Sequence, residues 1–394
     1  MWRVNPVAPL PESLRTRPSP SVSRLSRLDI HQLRNLQSVR LEDLGRVNLI
    51  YGPNGSGKTS LLEAIHILGS GRSFRNTSPR SLVRHGSDQL TVFALQQVGD
   101  RHSSLGVQRT VSGDLQVKLA GVAQRNLSQL AFALPVQVID ASTFDLLVGS
   151  PAVRRQFLNW GVFHVEHGFH EHWMGFQRAL KQRNTLLRRG NISGYELAVW
   201  DRKVAEAGEA IHAFRLAYFE ALAPRFRQVL NRLVPELDQV EVRYRRGWDR
   251  KVPYAEALAV AGESDRERGF TQTGPHRADV RITVQGRSAA ETLSRGQQKL
   301  LVIALKLAQG GLLREATGRQ CLYLVDDLPA ELDRGHLGRV CEELDALEAQ
   351  VFLTSVDRDD LQVVWPTPEA LKLFHVEHGQ VRASAPDGLR QPML

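Results

Sequence analysis

Gly52-Pro53-Asn54-Gly55-Ser56-Gly57-Lys58-Thr59 is the stretch that decides the fold of this chain. It matches the phosphate-binding loop pattern G-x-x-x-x-G-K-[ST] at every specified position. An apolar run at 47–51 precedes the loop, and a helical pattern begins at Ser60. The glycines allow backbone N–H groups to turn inward, and the start of the next helix adds the positive end of its dipole. A strand, a loop and a helix in this order predict a nucleotide site in an α/β fold.

Two residues of this loop have predicted chemical roles. Lys58 is expected to contact oxygens of the β- and γ-phosphates, and the Thr59 hydroxyl is expected to ligate a Mg²⁺ that bridges those phosphates. The expected cofactors are therefore ATP and Mg²⁺. All eight loop residues are predicted to bind the nucleotide: Gly52, Pro53, Asn54, Gly55, Ser56, Gly57, Lys58 and Thr59.

The composition is that of a globular protein. The chain has 394 residues, of which 42% are hydrophobic, and this is enough for about two or three domains of roughly 150 residues each. No apolar run reaches the roughly 18 residues of a membrane span, and the N-terminus has no signal-peptide core. A cytoplasmic location without membrane contact is therefore expected. The net charge of +9 favours a polyanionic partner, although an arginine-biased composition also explains part of this charge.

Periodicity divides the chain into regions of different character. Residues 1–22 are rich in proline and arginine without periodicity, which predicts disorder. From 151 to about 235 the pattern is helical, interrupted after Arg189 and again at Pro224, which predicts an inserted helical hairpin. Short strand-like pieces instead predict an antiparallel sheet, and they lie at 90–95, 105–111, 115–119 and 135–139.

A second apolar strand, at 321–325, ends in Asp326 and Asp327. Its continuous apolar character is typical of the middle of a parallel sheet. At the carboxyl edge of such a sheet, beside a phosphate loop, the first acid can reach the Mg²⁺ and the second can polarise the attacking water. Thr59 and Asp326 are therefore the predicted metal residues, and Lys58 and Asp327 the predicted catalytic residues.

The segment Leu293-Ser294-Arg295-Gly296-Gln297-Gln298-Lys299 opens the helix that precedes this strand. It is a second possible anion-binding helix start, although an ordinary helix cap explains Ser-x-Gly equally well. Gln297 lies 29 residues before Asp326, and in this position the segment resembles the signature of ABC-type ATPases. That resemblance implies that Ser294, Gly296 and Gln297 bind the nucleotide of a partner subunit, in a homodimer that ATP holds together.

Two further segments resemble parts of ABC-type sites. Glu331-Leu332-Asp333 resembles the D-loop that lines the dimer interface. Thr354-Ser355 occupies the switch position at which transporters of this class usually carry a histidine. Lys58 and Ser294 lie 236 positions apart, which is more than the nucleotide subunit of a transporter needs and indicates a large insertion.

From about 25 to 380 the chain resembles the RecF recombination-mediator family, relatives of the SMC and Rad50 heads with a short helical arm. The departures are Ala278, where an acid is common, and Pro329-Ala330, where a serine usually precedes the glutamate. Besides the ATPase motifs, the segments that carry the resemblance are Gly71-Arg72-Ser73-Phe74-Arg75, Gly149-Ser150-Pro151, Arg154-Arg155-Gln156-Phe157-Leu158, Trp200-Asp201 and Gly274-Pro275-His276-Arg277-Ala278-Asp279.

This resemblance implies an ABC-type ATPase head, an α/β fold with a phosphate-loop core and an antiparallel β subdomain, carrying an inserted α-helical arm lobe. The expected divisions are a disordered extension at 1–22, the first part of the head at 23–150, the arm at 151–261, the second part of the head at 262–380 and a frayed tail at 381–394.

The resemblance also implies an ATP-dependent, DNA-binding recombination mediator that acts in DNA repair and replication. Such a protein dimerises on ATP, binds DNA at single-stranded gaps or junctions, and helps RecO and RecR to load RecA. A weak, DNA-stimulated ATPase is expected. Asp327 is one methylene shorter than the usual glutamate, which favours slow hydrolysis because the water is less well positioned. An ABC transporter ATPase subunit is the alternative.

Basic residues in and after the arm are the candidates for contacting DNA. A solvated helix face explains any one of them as well, and contacts to phosphate rather than to bases are expected. The candidates are Arg154, Arg155, Arg178, Lys181, Arg183, Arg188, Arg189, Arg243, Arg245, Arg246, Arg250 and Lys251.

Overall fold

The computed structural model describes residues 23–75, 78–99, 101–189 and 194–384. The described residues form two compact units. A sheet-rich unit contains 23–143, 232–234 and 299–384, and a helix-rich unit contains 144–231 and 235–298. The segment 1–22, for which disorder was predicted, lies outside the described residues, as does 385–394.

The strands are β1 (Ser23–Leu33), β2 (Leu36–Leu41), β3 (Val47–Tyr51), β4 (Gln89–Val98), β5 (Arg101–Thr110), β6 (Leu115–Leu119), β7 (Val122–Gln124), β8 (Val136–Ile139), β9 (Val240–Arg245), β10 (Asp279–Val284), β11 (Arg287–Ser288), β12 (Leu322–Val325), β13 (Val351–Ser355), β14 (Leu371–Glu377) and β15 (Gln380–Ser384). The helices are α1 (Lys58–Ser70), α2 (Pro79–Leu82), α3 (Leu127–Ala133), α4 (Asp145–Val148), α5 (Pro151–Val165), α6 (Phe169–Arg189), α7 (Gly194–Leu233), α8 (Tyr254–Val260), α9 (Gly262–Arg268), α10 (Ala289–Thr292), α11 (Arg295–Thr317), α12 (Arg334–Ala346) and α13 (Asp359–Gln362).

A mixed sheet in the sheet-rich unit has the strand order β15-β14-β3-β13-β12-β8. The strand β3 lies between β14 and β13 and is parallel to both, and β12 is parallel to β13 and β8. All four residues of β12 are buried, as its continuous apolar pattern predicted. Because the carboxyl ends of parallel strands meet at one edge of a sheet, this topology brings the ends of β3, β12 and β13 together.

An antiparallel sheet, with the order β2-β1-β4-β5-β6-β7, forms the second layer of this unit. Three of the four strand-like pieces predicted for it correspond to β4, β5 and β6. The assignment of 135–139 to this sheet is wrong, because β8 pairs in parallel with β12 in the mixed sheet. Alternating apolar residues identify a strand with one buried face, but they do not specify its partner.

Helix α1 packs into the core between the sheets. Its residues Leu61, Leu62, Ile65 and Leu68 are completely buried. Each such side chain contributes about 1.5–3 kcal/mol relative to an exposed position. Truncation of Leu61 to alanine would therefore cost about 2–5 kcal/mol, and the helix that carries the phosphate loop is firmly anchored.

Helix α7 in the helix-rich unit continues through Pro224. The predicted interruption at this residue is therefore wrong. Proline removes one helical N–H donor and crowds the preceding turn, but Leu222 and Phe226 on either side are buried. We attribute the continuity of the helix to this packing, which offsets the local cost.

The boundaries of the compact units differ from the predicted lobes. Residues 262–298 group with the helix-rich unit, because β10 pairs with β9 over the full length of both strands. The frayed tail predicted from 381 is wrong for 381–384, which pair with β14 as part of β15. No helix within the described ranges is long and apolar enough to span a membrane.

Candidate nucleotide-binding site

The phosphate loop leaves the sheet at the carboxyl end of β3, as predicted. Gly52 has φ +148°, and a Cβ at this position would lie 2.1 Å from the carbonyl oxygen of Val376. Only glycine tolerates both this conformation and this contact. The Gly52 N–H donates to the carbonyl of Ser355 at 3.3 Å, so the start of the loop is fixed between two neighbouring strands.

Lys58 spans the loop from its first helical position. Its ammonium group donates to the carbonyl oxygens of Gly52 at 2.7 Å and Pro53 at 3.1 Å. Burial lowers the pKa of Lys58 from its usual value, and the carboxylates of Asp327 and Asp326 oppose this shift. The cation is therefore held against the loop backbone, close enough to both acids for their charges to act on it.

Thr59 and Asp326 lie in direct contact, although they are 267 residues apart in sequence. The Thr59 hydroxyl donates to Asp326 Oδ1 at 3.1 Å, and the Thr354 hydroxyl donates to the same oxygen at 2.7 Å. The backbone N–H of Asp326 donates to the carbonyl of Ile139 at 2.8 Å. The structure thus brings together the two residues predicted to hold a metal ion.

The environment of Asp326 suits a hard cation. Burial raises its pKa above the ordinary value, hydrogen bonds from Thr354 and Thr59 oppose the rise, and the charges of Asp140 and Asp327 add to it. A carboxylate beside a hydroxyl is the type of oxygen donor that Mg²⁺ prefers. The residues present therefore fit the predicted metal, whose positive charge would stabilise the ionised form of Asp326.

Asp327 follows in a left-handed backbone conformation, with φ of 51°. Its N–H donates to Thr354 Oγ1 at 2.9 Å. A single hydroxyl therefore orients both acids, because it donates to Asp326 and accepts from Asp327. The sequence identified Thr354 only as the residue at the switch position. Its hydrogen bonds depend on the pairing of β13 with β12, which no local pattern reveals.

Asn35, in the turn between β1 and β2, is a site residue that the sequence analysis missed. Its side-chain amide donates to the carbonyls of Gly55 at 3.1 Å and Ser56 at 3.0 Å. Its Oδ1 accepts from the Ser60 hydroxyl at 3.2 Å. The antiparallel sheet thus supports the phosphate loop from outside the motif, and an asparagine in a turn gives no sequence signal of this role.

Glu63, one helical turn beyond the loop, is completely buried and paired. Arg34 donates to its two oxygens, each at 2.9 Å. The Ser73 hydroxyl also donates to Glu63. Ser73 belongs to the Gly71-Arg72-Ser73-Phe74-Arg75 segment, so this segment has a structural role in orienting α1 and its carboxylate.

The signature residues belong to the helix-rich unit. The Ser294 hydroxyl accepts from the Gln297 N–H at 3.3 Å, and Gln297 Oε1 accepts from the Ser294 N–H at 3.0 Å. This reciprocal pair is a capping box. Ser294 and Gly296 are exposed at this helix start, so a ligand can reach them. An ordinary capped helix has the same hydrogen bonds, so both interpretations of this segment fit the structure.

The D-loop segment lies in the sheet-rich unit. Glu331 forms an ion pair with Lys299 at 3.1 Å. Asp333 accepts hydrogen bonds from the backbone N–H groups of Gly335 and His336, both at 3.0 Å, and so caps α12. The segment is therefore locally ordered by contacts within its own unit.

Three of the predicted DNA-contacting arginines are partly or fully buried against structural partners. Arg183 is completely buried between Asp201 and Asp265, so its assignment to a DNA-binding face is wrong. Arg154 pairs with Asp279 at 2.7 Å, and Arg155 donates to the carbonyl of Ala278 at 2.9 Å. Helical periodicity did not reveal these contacts, because their partners come from distant segments. The candidates that are exposed are Arg178, Lys181, Arg188, Arg189, Arg243, Arg245, Arg250 and Lys251, and Arg246 is partly buried.

The sequence matches the family model described as the RecF/RecN/SMC N terminal domain over residues 24–382. The chain is 49% identical over 364 residues to the DNA replication and repair protein RecF of Cellvibrio japonicus, covering 92% of this chain and 100% of that protein. It is 46% identical over 368 residues to the RecF protein of Stutzerimonas stutzeri, covering 93% and 99%.

Comparison with solved structures agrees with the sequence comparisons. A structure of the recombination mediator protein RecF with ATP, described as part of the RecFOR pathway, superposes with a TM-score of 0.82 at 25% identity, covering 94% of this chain and 100% of that one. An Smc head domain from Pyrococcus furiosus superposes with a TM-score of 0.57 at 15% identity, covering 92% and 96%, and supports the fold alone. The predicted ABC-type α/β head is thereby confirmed, and the chain belongs to the RecF family.

Proposed function

We propose that this chain is an ATP-dependent, DNA-binding recombination mediator. It dimerises on ATP, binds DNA at gaps or junctions, and helps RecO and RecR to load RecA during DNA repair and replication. The observation that carries the proposal is the contact between Thr59 and Asp326 at 3.1 Å. This contact joins the phosphate loop to the acidic strand end and leaves two oxygen donors for a metal beside Lys58.

Each residue of this site has a proposed role. The N–H groups of the loop at 52–59 bind the phosphates, and Lys58 neutralises their negative charge. Thr59 and Asp326 would hold a Mg²⁺, which would supply positive charge to offset the negative charge of the phosphates. Asp327, held by Thr354, accepts a proton from the attacking water. Its short side chain favours slow turnover, so we propose a weak ATPase that DNA stimulates.

The proposed dimer uses the helix start at Ser294. The capping box leaves this start exposed, and the helix end presents a partial positive charge to an anion. In the dimer Ser294, Gly296 and Gln297 contact the γ-phosphate of the nucleotide held by the other subunit. ATP is therefore part of the interface rather than a ligand buried within one subunit.

Sedimentation of the purified protein with and without ATP tests this proposal. The wild type should dimerise only with ATP. Lys58→Ala should lose ATP binding and dimerisation together, whereas Ser294→Ala should retain ATP binding and lose dimerisation. Failure of the wild type to dimerise with ATP would exclude the cross-subunit mechanism.

The proposed DNA contacts include the two exposed arginines at the end of α6. Arg188→Glu with Arg189→Glu should weaken binding to gapped duplex DNA and leave ATP binding unchanged. Arg202→Glu with Arg227→Glu is the matched control, since both residues are exposed on α7 in the same unit. Equal DNA affinity of the α6 variant and the wild type at moderate salt would remove this face from the proposal.

The roles with RecO, RecR and RecA are supported by relatives alone. The solved relatives are recombination mediators described as part of the RecFOR pathway, and we extend that role to this chain. RecA filament formation on gapped DNA, measured with RecO and RecR in the presence and absence of this protein, tests the extension. Membership of the RecF family argues against the transporter alternative.

A further inference from the structure

A cleft of about 1090 Å³ opens on the helix-rich unit, over the outer face of the small sheet β11-β10-β9. Among the residues that the structure describes, six arginines line it, against three carboxylates, those of Glu241, Asp249 and Asp279. We call this cleft the arginine cleft. Its arginines are Arg243, Arg245, Arg246, Arg250, Arg277 and Arg281.

The strand register places two of these arginines directly opposite each other. Arg243 on β9 pairs with Arg281 on β10. Like charges at directly opposed positions destabilise an antiparallel pair. The carboxylates relieve this repulsion only in part, because Glu241 pairs with Arg243 at 2.7 Å while Asp279 is already paired with Arg154. The sheet therefore has a local electrostatic cost that a bound anion would remove.

The side of the cleft formed by the loop after β9 is rigid. Gly247 has φ +97°, and a Cβ there would lie 2.1 Å from the carbonyl oxygen of Gly274. The Gly274 N–H in turn donates to the Gly247 carbonyl at 3.0 Å. The ring of Trp248 lies 4.7 Å from that of Tyr254, centroid to centroid, and 4.6 Å from the Arg246 guanidinium. Arg246 Nη2 donates to the carbonyl oxygens of Asp249 and Val252, so contacts within this loop hold the Arg246 side chain in place.

Two buried donors at the cleft lack acceptors. Among the described residues, neither Arg246 Nε nor Trp248 Nε1 has a hydrogen-bond partner. Guanidinium and indole N–H groups can only donate, and an unsatisfied buried donor is destabilising. Both atoms are enclosed by protein, so the groups open to an anion in the cleft are the exposed guanidinium groups of Arg243, Arg245 and Arg281.

We propose that the arginine cleft binds the phosphodiester backbone of a DNA strand. Arg243 and Arg245 lie two positions apart on one face of β9, a separation of about 7 Å. Their guanidinium groups therefore form a row of donors and not a pocket for a single anion. Trp248 is already flanked by Arg246 and Tyr254, so it supports the row and does not stack a base. The inference rests on the proposed DNA binding and assigns it a surface.

An acidic peptide is the other ligand that this charge could attract. Peptide sites usually bury an apolar or aromatic anchor at their centre. Within the described part of the chain, the aliphatic lining here consists of Pro151 and Leu216, and the other lining residues are mainly charged or aromatic. The lining therefore favours a uniformly charged backbone over a peptide.

Titration of DNA binding against salt tests the assignment, with the double variant Arg243→Gln and Arg281→Gln in the full chain. Removal of two phosphate contacts should weaken binding and make the slope of log K against log salt less negative by about 0.9 per contact on duplex DNA, or about 0.7 on single strands. Arg202→Gln with Arg227→Gln, exposed on α7, is the control and should keep the wild-type slope. Circular dichroism should show the same fold for all three proteins.

The possible results separate this inference from the proposed function. A reduced slope in the cleft variant alone supports the arginine cleft. If the wild type binds DNA and the cleft variant binds it with the same affinity and slope, the cleft assignment is overturned while the proposed function stands. If the wild type binds no DNA, both fail. If the cleft variant loses binding of poly-L-glutamate but retains binding of DNA, the cleft is a peptide site and the assignment is wrong.

Discussion

Replacement of Arg183 by methionine tests whether this residue is structural. Arg183 is completely buried, and so is its partner Asp265. The guanidinium Nη1 donates to Asp265 Oδ2 and to Thr271 Oγ1, both at 2.7 Å, and Nε donates to Asp201 at 2.6 Å. Methionine fills much of the space but leaves the Asp265 carboxylate buried without a cation. Loss of one partner from a buried ion pair costs about 3–5 kcal/mol, and we expect a destabilisation of this size.

Urea denaturation followed by tryptophan fluorescence measures this effect. Four of the six tryptophans report on the unit that contains Arg183, because they lie within 144–231 and 235–298. The control is Arg188→Met on the same helix, an exposed position where a change within about 0.5 kcal/mol is expected. Arg183→Met combined with Asp265→Asn should recover part of the loss, since asparagine removes the buried charge and retains an acceptor for the Gln272 N–H.

A different outcome would restore the interpretation of Arg183 as a DNA contact. If Arg183→Met unfolds at the same urea concentration as the wild type but binds DNA more weakly, the buried ion pair does not stabilise the fold and Arg183 is a DNA contact. A loss of stability, together with an unchanged DNA affinity of the folded variant at low urea, supports a structural role for Arg183.

Substitutions at three further residues test the roles of single groups. Thr354→Val leaves the Asp327 N–H without its acceptor, which should cost roughly 1–3 kcal/mol of stability and slow ATP hydrolysis. Thr354→Ser should retain the stability and the hydrolysis rate. Thermal unfolding measures the first effect and phosphate release the second. Asp326→Asn should raise the stability of the nucleotide-free protein at neutral pH, because burial raises the pKa of Asp326 and its ionised form is the disfavoured one. The same variant should lose the stabilisation by Mg²⁺ and ATP, which for the wild type is about 2.7 kcal/mol at a concentration of 100 Kd; melting temperatures with and without ligand measure both effects. Burial lowers the pKa of His276 from 6.5 to about 4, so its contribution to stability is present above pH 6.5 and is lost as the pH falls toward 4. His276→Gln, which can still donate to the Thr271 carbonyl, should therefore lose less stability over this pH range, and a steeper decline would contradict the assignment.

Local patterns predicted the parts of the site that are continuous in sequence. The phosphate loop, the acidic end of β12 and the capped start of α11 each depend on a few adjacent residues, and the structure contains all three elements. Their chemistry needs fixed residue types at fixed spacing, and a single sequence is sufficient to show this.

Contacts between distant segments could not be predicted in the same way. The burial of Arg183 depends on Asp201 and Asp265, which approach it only after α6, α7 and α9 have packed. The position of β8 depends on which strand edge is free. The alternation of apolar residues along a strand does not specify that edge. The continuity of α7 at Pro224 likewise reflects tertiary packing that overrides a local preference.

The position of Asn35 has a consequence for the thermodynamics of ligand binding. Its amide holds the Gly55 and Ser56 carbonyls, so much of the conformational entropy of the phosphate loop is lost when the protein folds and not when a nucleotide arrives. A preorganised loop binds its ligand with a smaller entropic penalty. Part of the nucleotide affinity is therefore encoded about 20 residues before the loop, at a position that no phosphate-loop pattern includes.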